Sequence, residues 1–245
     1  MRADDEGPVK LIVPAWGITS GADGSGLFNE LFRFVAADGV ANYQIDYVNY
    51  EEALRRVVHG QAECVYPVPI QTFDMFFKDA EQVDLIESLP VFISKSYIFS
   101  RPGEPVLARL EDMRDMLLIQ ILGENYNHDF LGLGARFLNV ETETEKIKLL
   151  LAGRGHAMIG SVPDILYSFK ALGVEILPYN PDFSVLDYPN NLTCRASART
   201  KALVDAFSAR IKATFEDGSL KAFIAKQGVP LHLIDNFLAV PAVSQ

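Results

Sequence analysis

The stretch Val9-Lys10-Leu11-Ile12-Val13-Pro14-Ala15-Trp16 is an apolar run short enough for one buried strand, and the pattern built around it decides the fold. Gly21-Ala22-Asp23-Gly24-Ser25-Gly26 supplies turn chemistry, after which Leu27, Leu31, Phe32, Val35 and Ala36 recur at helical spacing until Gly39. Tyr43 to Val48 alternates, with Tyr43, Ile45 and Tyr47 on one face and Gln44 and Asp46 on the other, the period of a strand. Glu51 to Val58 is amphipathic and stops at Gly60, and Cys64 to Val68 reads as a third strand broken by Pro67 and Pro69. This βαβαβ order predicts parallel strands joined by helical crossovers. In such a sheet ligands sit beyond the carboxyl ends of the strands.

A second series of the same kind comes after the extended segment Ile93 to Ser100 and the punctuation Pro102-Gly103. Leu107 to Met113 reads as a short helix, Leu117 to Leu122 as a strand, and Phe130 to Phe137 and Glu143 to Ala152 as helices. Ala157 to Gly160 reads as a strand, Ile165 to Leu172 as a helix closed by Gly173, and Val174 to Leu177 as a strand. Asn191 to Ala196 is extended again, and the remainder is two helices, about Ala202 to Phe215 and Leu220 to Lys226. Those helices have no strands of their own, so they are expected to return to the first lobe. The expected domains are residues 1–97 with 195–245, and 98–194, with two hinge crossings.

The 245 residues suffice for two α/β lobes of roughly 100 residues each. With 32 acidic against 22 basic residues the chain carries a formal charge of -10, which argues against nucleic acid or an anionic membrane as partner. Runs such as Leu11 to Trp16 and Leu117 to Leu122 are far too short to span a bilayer. Met1-Arg2-Ala3-Asp4-Asp5-Glu6-Gly7-Pro8 has no apolar signal-peptide core; it fits either a mature exported chain restarted at a Met or the solvated tail of a cytoplasmic protein.

Cys64 and Cys194 show no CxxC or His-paired spacing, and His59, His128, His156 and His232 form no zinc pattern. No metal and no cofactor is expected, and the two cysteines are expected to be buried free thiols, with a disulfide the alternative. Gly17-Ile18-Thr19-Ser20-Gly21 misses the GxSxG elbow by one position, and Gly21 to Gly26 lacks the Lys-Ser/Thr ending of a phosphate loop. Nucleophilic catalysis is not supported.

Several segments together resemble the extracellular solute-binding proteins of family 3, the polar amino-acid receptors of ABC importers. They are Tyr50-Glu51-Glu52-Ala53-Leu54 through Gly60-Gln61-Ala62-Glu63, Ser88-Leu89-Pro90, Leu110-Glu111-Asp112-Met113 before Leu117 to Gly123, and Leu149 through Ala157 with its Gly153-Arg154-Gly155-His156. Asp217-Gly218-Ser219-Leu220 through Lys226-Gln227-Gly228 resembles the family's ending. The resemblance implies the two-lobed periplasmic binding protein type II fold of class α/β. It also implies a small-molecule ligand taken between the lobes, a membrane permease or sensor partner, a monomer, and a periplasmic location.

In that family a hydroxyl-rich segment ending Thr-x-x-Arg holds the ligand carboxylate through its arginine. Here the segment keeps Thr72 but has Met75 at the arginine position and Pro67, Val68 and Ile70 where hydroxyls would help. The family's acidic partners for the ligand ammonium are replaced by His156 and Ser161. Both halves of a zwitterion clamp are missing, so a free standard α-amino acid is a poor ligand.

The resemblance places candidate ligand residues at the strand ends. In the first lobe they are Trp16, Ser20, Asp23, Tyr50, Tyr66, Val68, Ile70 and Thr72; in the second, Glu124, Asn125, Tyr126, Asn127 and Ser161. Aromatic faces with a carboxylate suit a flat neutral or cationic solute. Each has a plainer alternative: Trp16 as core, Tyr50 as a helix-start staple, Asp23 as turn chemistry, Glu124 as a solvated acid or helix cap, and Arg154 as a surface ion-pair partner. A few members of this fold are dehydratases, for which Glu124 with His128 would be the acid/base pair, and a ligand-independent interaction module is the third class.

Overall fold

The computed structural model describes residues 7–37, 42–77, 83–121 and 130–238. They divide into two compact units, Met1–Ile93 with Pro189–Gln245 and Ser94–Tyr188.

In the first unit, β1 (Val9–Pro14) lies parallel to β2 (Tyr43–Val48) on one side and to β3 (Cys64–Val65) on the other. The sheet continues through β10 (Thr193–Arg195) to β4 (Leu85–Glu87), giving the order β2-β1-β3-β10-β4, with β10 antiparallel to both its neighbours. The strand that returns from the second unit thus joins the first unit's sheet. Helix α1 (Leu27–Ala36) buries the stripe Leu27, Leu31, Phe32, Val35 and Ala36 legible in the sequence, and Phe28 in addition. Helix α2 (Tyr50–Val58) starts at Asn49, whose side chain accepts a hydrogen bond from the Glu52 amide at 2.9 Å.

A short helix, α3 (Ile70–Phe76), comes after the two prolines where the sequence reads only a broken strand. Pro69 is its N-cap, and its interior holds no proline or glycine. At the C-terminal end, α6 (Ala198–Glu216) packs on α1 and β10, and α7 (Ser219–Lys226) packs on α6. Phe32, Tyr66 and Phe207 meet with ring centroids 5.2 to 6.1 Å apart, tying α1, the end of β3 and α6 into one core. Helix α8 (Leu231–Phe237), which the sequence pattern does not reveal, packs on α7.

The strands of the second unit are β5 (Ile93–Ser100), β6 (Leu117–Ile121), β7 (Arg136–Val140), β8 (Ala157–Val162) and β9 (Tyr179–Pro189). They form a sheet in the order β7-β6-β8-β5-β9. Helices α4 (Glu143–Leu151) and α5 (Asp164–Leu172) pack on it. Three expectations are corrected here. Phe130 to Phe137 is not a helix: a 3-10 turn at Leu131–Leu133 ends at Gly134, whose φ is 73°, and Arg136–Val140 pairs in parallel with β6. Val174 to Leu177 is not a strand; the edge strand β9 begins two residues later, after Pro178. Leu107 to Met113 shortens to a 3-10 turn at Leu110–Met113, with Asp112 bonded to the Ala108 amide.

A fourth correction concerns the cysteines. Cys64 and Cys194 form a disulfide, where the sequence reading expects free thiols. The reason lies in register. Cys194 stands directly opposite Cys64 in the antiparallel β3–β10 pair, and the Arg195 amide donates to the Glu63 carbonyl at 2.8 Å. That bond marks Cys64 and Cys194 as the non-hydrogen-bonded kind of pair, in which the side chains come closest. Both residues are fully buried.

Candidate functional site

The carboxyl ends of β1 and β2 and the helix after β3 converge on an exposed aromatic ledge in the first unit. After Pro14 the chain makes a tight turn in which the Trp16 and Gly17 amides both donate to the Ser20 carbonyl, at 3.0 and 3.3 Å. Gly17 has φ 131°, a conformation that side chains disfavour. The Ser20 hydroxyl is buried and donates to the Pro14 carbonyl at 2.6 Å, closing the turn from inside. Gly26 lets the start of α1 approach, because a Cβ there would lie 2.5 Å from the Thr19 backbone.

This turn fixes Trp16. Its indole N–H donates to Thr19 Oγ1 at 3.0 Å, and its ring stands edge-on to buried Phe28 at 4.9 Å. With that bond in place, the indole presents mainly its apolar faces. Trp16 is 38% exposed, and Ile18 beside it is 52% exposed. Tyr50, the first residue of α2, lies 6.3 Å from Trp16, and Phe76 at the end of α3 lies 6.1 Å from Tyr50 and is 47% exposed. Of these residues the sequence reading names Trp16 and Tyr50 as candidates. Phe28, Ile18 and Phe76 are not among its candidates, the last because the prolines before α3 mask the helix.

The other first-unit candidates sit elsewhere. Tyr66 is fully buried between Phe32 and Phe207, its hydroxyl is unpartnered, and burial pushes its phenol far above the usual range. Val68 is buried, with its amide on the Asn191 carbonyl and its own carbonyl accepting from Thr193 Oγ1 at 2.5 Å. Thr72 is buried in α3, while Ile70 at its start is half-buried. Asp23 is exposed and accepts from both the amide and the hydroxyl of Ser25, at 3.0 and 2.6 Å; these bonds hold its carboxyl below the usual range.

In the second unit, Ser161 is half-buried on β8 opposite Ser96 of β5. His156 is engaged: its Nδ1 accepts from the Leu117 amide at 2.7 Å and anchors the start of β6. Arg154 is exposed. Lys146 is fully buried in α4 with its ammonium 2.8 Å from Glu143, three residues earlier on the same helix. Glu124, Asn125, Tyr126, Asn127 and His128 lie outside the described residues. Among the described residues no cluster of His, Cys, Asp or Glu is arranged to hold a metal ion.

No protein-family model matches the sequence, and no curated protein is detectably similar to it. Solved structures do match. The ligand-binding core of GluR0 in complex with L-glutamate is similar over 91% of this chain and 98% of its own, with TM-score 0.70 and 13% identity. The substrate-binding protein of an amino-acid ABC transporter is similar over 90% and 98%, with TM-score 0.62 and 12% identity. A histidine kinase sensor domain with similarity to periplasmic binding proteins is similar over 89% and 95%, with TM-score 0.64 and 17% identity. The chain has the α/β fold of the two-lobed periplasmic binding proteins.

Proposed function

We propose that the chain is a receptor that binds a small organic solute against the aromatic ledge and reports or delivers it to a membrane partner. The observation that carries this reading is the exposure of Trp16, Ile18 and Phe76 around Tyr50 at the carboxyl ends of parallel strands. Soluble proteins keep contiguous apolar surface small unless something covers it, and in open α/β sheets that end is where ligands bind. The fold neighbours, an importer component and a kinase sensor domain, suggest the two kinds of partner, a permease or a sensor.

The solute is not a free standard α-amino acid. Support comes from Ser161 and His156 at the positions where the resemblance implies acids, with His156 already committed to the Leu117 amide. The Cys64–Cys194 bridge fits an oxidising compartment, consistent with a periplasmic location. Among the described residues no helix is long and apolar enough to cross a membrane.

Native mass spectrometry of protein purified under mild conditions tests the reading. The expected result is a noncovalent small-molecule adduct, lost after unfolding and refolding, that rebinds saturably without being converted. Turnover of the recovered molecule would overturn the receptor reading in favour of an enzyme.

A further inference from the structure

In the second unit one face of the sheet carries a tier of uncharged polar side chains at the carboxyl ends of its parallel strands. Leu118, Ala157, Ile159 and Ile98 belong to one hydrophobic cluster, which fixes the face they point to. Side chains alternate along a strand, so Gln120 of β6, Ser161 of β8 and Ser96 of β5 lie on that same face, next beyond the cluster. Phe137 packs against the cluster too, which puts Asn139 of β7 in the tier. The register agrees, with Gln120 beside Asn139 and Ser161 beside Ser96.

Gln120 is 2% exposed, and its Nε2 donates to Asn139 Oδ1 at 2.9 Å. Its Oε1 is buried and accepts no hydrogen bond. Leu118 behind it and Ile159 on the next strand are apolar, so that layer supplies no side-chain donor. An unmade acceptor in such surroundings is costly, and folded chains rarely keep one without a use. Asn139 is exposed and Ser161 half-buried, so in strand order the tier meets solvent on both sides of Gln120. By the β6–β8 register Ser161 lies one strand over and two residues further along, a Cα separation of roughly 8 Å at ordinary strand spacing. That gap suits one small polar group held between the two side chains.

Charge is kept to the other face. Phe169 of α5 packs on Phe99, whose side chain points away from the tier, and α4 packs beside α5. The pairs Lys146–Glu143 of α4 and Lys95–Asp187 therefore belong to the opposite side of the sheet. Among the described residues the tier holds no ionisable group. We infer that Gln120 is a ligand-binding residue whose Oε1 accepts a hydrogen bond from the hydroxyl or carboxamide of an uncharged solute, with Ser161 as the second partner. The inference rests on the proposed receptor role and narrows its solute class. A carboxylate brings no donor to Oε1, and an ammonium would sit there without a counter-charge.

The test titrates butyramide, butyrate and butylammonium, which share one alkyl chain, into the full isotope-labelled chain. Nuclear magnetic resonance follows the Gln120 side-chain amide, assigned through its own backbone, together with the Trp16 indole N–H. Butyramide is expected to shift the Gln120 resonance saturably and to bind about tenfold more tightly than either ion, the scale of one buried hydrogen bond. Gln120→Met keeps the length of the side chain without the acceptor. In that variant butyramide affinity, read by calorimetry, should fall by about tenfold while Tm is unchanged or higher, because the unmade acceptor is gone. A Gln120 resonance that no probe moves, or undiminished butyramide affinity in the folded variant, overturns the assignment. Shifts confined to the Trp16 indole overturn it and leave the ledge standing. Butyrate or butylammonium binding as tightly as butyramide overturns the solute class. The receptor role itself stands or falls on the adduct retained in native mass spectrometry, which none of these outcomes alters.

Discussion

Cys194 sits directly opposite Cys64 in the β3–β10 pair and is joined to it by a disulfide across 130 residues of sequence. The bridge fastens the returning strand, and the helices after it, to the strand at the centre of the first unit's sheet. Closing so long a loop removes much of the freedom of the unfolded chain, worth about 3 kcal/mol by typical measurement.

The first prediction comes from this bridge. Thiol titration of denatured, unreduced protein should find no free thiol, and Cys64→Ala with Cys194→Ala should lower Tm by on the order of 10 °C. Two reactive thiols without reductant would contradict the structure.

How much of this is legible in the sequence depends on how local each signal is. The Leu27, Leu31, Phe32 and Val35 stripe and the Tyr43, Ile45 and Tyr47 alternation are decided within a few residues, and both elements appear where the pattern puts them. The disulfide depends on a register between strands far apart in sequence, which no local pattern contains. Tyr50 and Tyr66 look alike as aromatic residues near strand ends. Only the packing of Phe32 and Phe207 shows that Tyr66 is core while Tyr50 stays half-buried beside Trp16. Helix α3 is hidden because Pro67 and Pro69 read as breakers, although a proline just before a helix is also a start signal.

Tyr66→Phe separates core from site. Because the Tyr66 hydroxyl is buried without a partner, removing it should raise stability by up to about 1 kcal/mol and leave solute binding unchanged. Chemical denaturation and calorimetry of the variant check both. A loss of binding would place Tyr66 at the site after all.

Asp23 should behave as a turn residue. Its carboxyl is held below the usual range by Ser25, so its contribution is present above the ordinary aspartate pKa of about 3.9 and is lost as pH falls through the lower folded value. Asp23→Ala should therefore lower Tm at pH 7, with the difference from wild type vanishing in acid, and solute affinity should not change. A persistent difference at low pH would show that the Ser25 bonds are not its source.

Tyr97, buried in the second unit with an unpartnered hydroxyl, has its pKa pushed up to about 12, chiefly by burial. A raised value means stability that is intact below about pH 10, the unfolded value, and is lost as pH rises toward 12. Tyr97→Phe should gain on the wild type as pH rises from about 9 to about 11.5, measured as the difference in denaturation midpoint. A constant difference would contradict this.

The central claim is that solute meets the chain at the ledge of Trp16, Tyr50 and Phe76. The most direct measurement is calorimetric titration of the small molecule recovered from mildly purified protein, repeated on Tyr50→Ala and Phe76→Ala. Each truncation removes ring contact worth roughly 1 kcal/mol or more, so each should weaken binding by about fivefold to thirtyfold while Tm stays near the wild-type value. Saturable binding of undiminished affinity in both variants would place the site elsewhere and contradict the account.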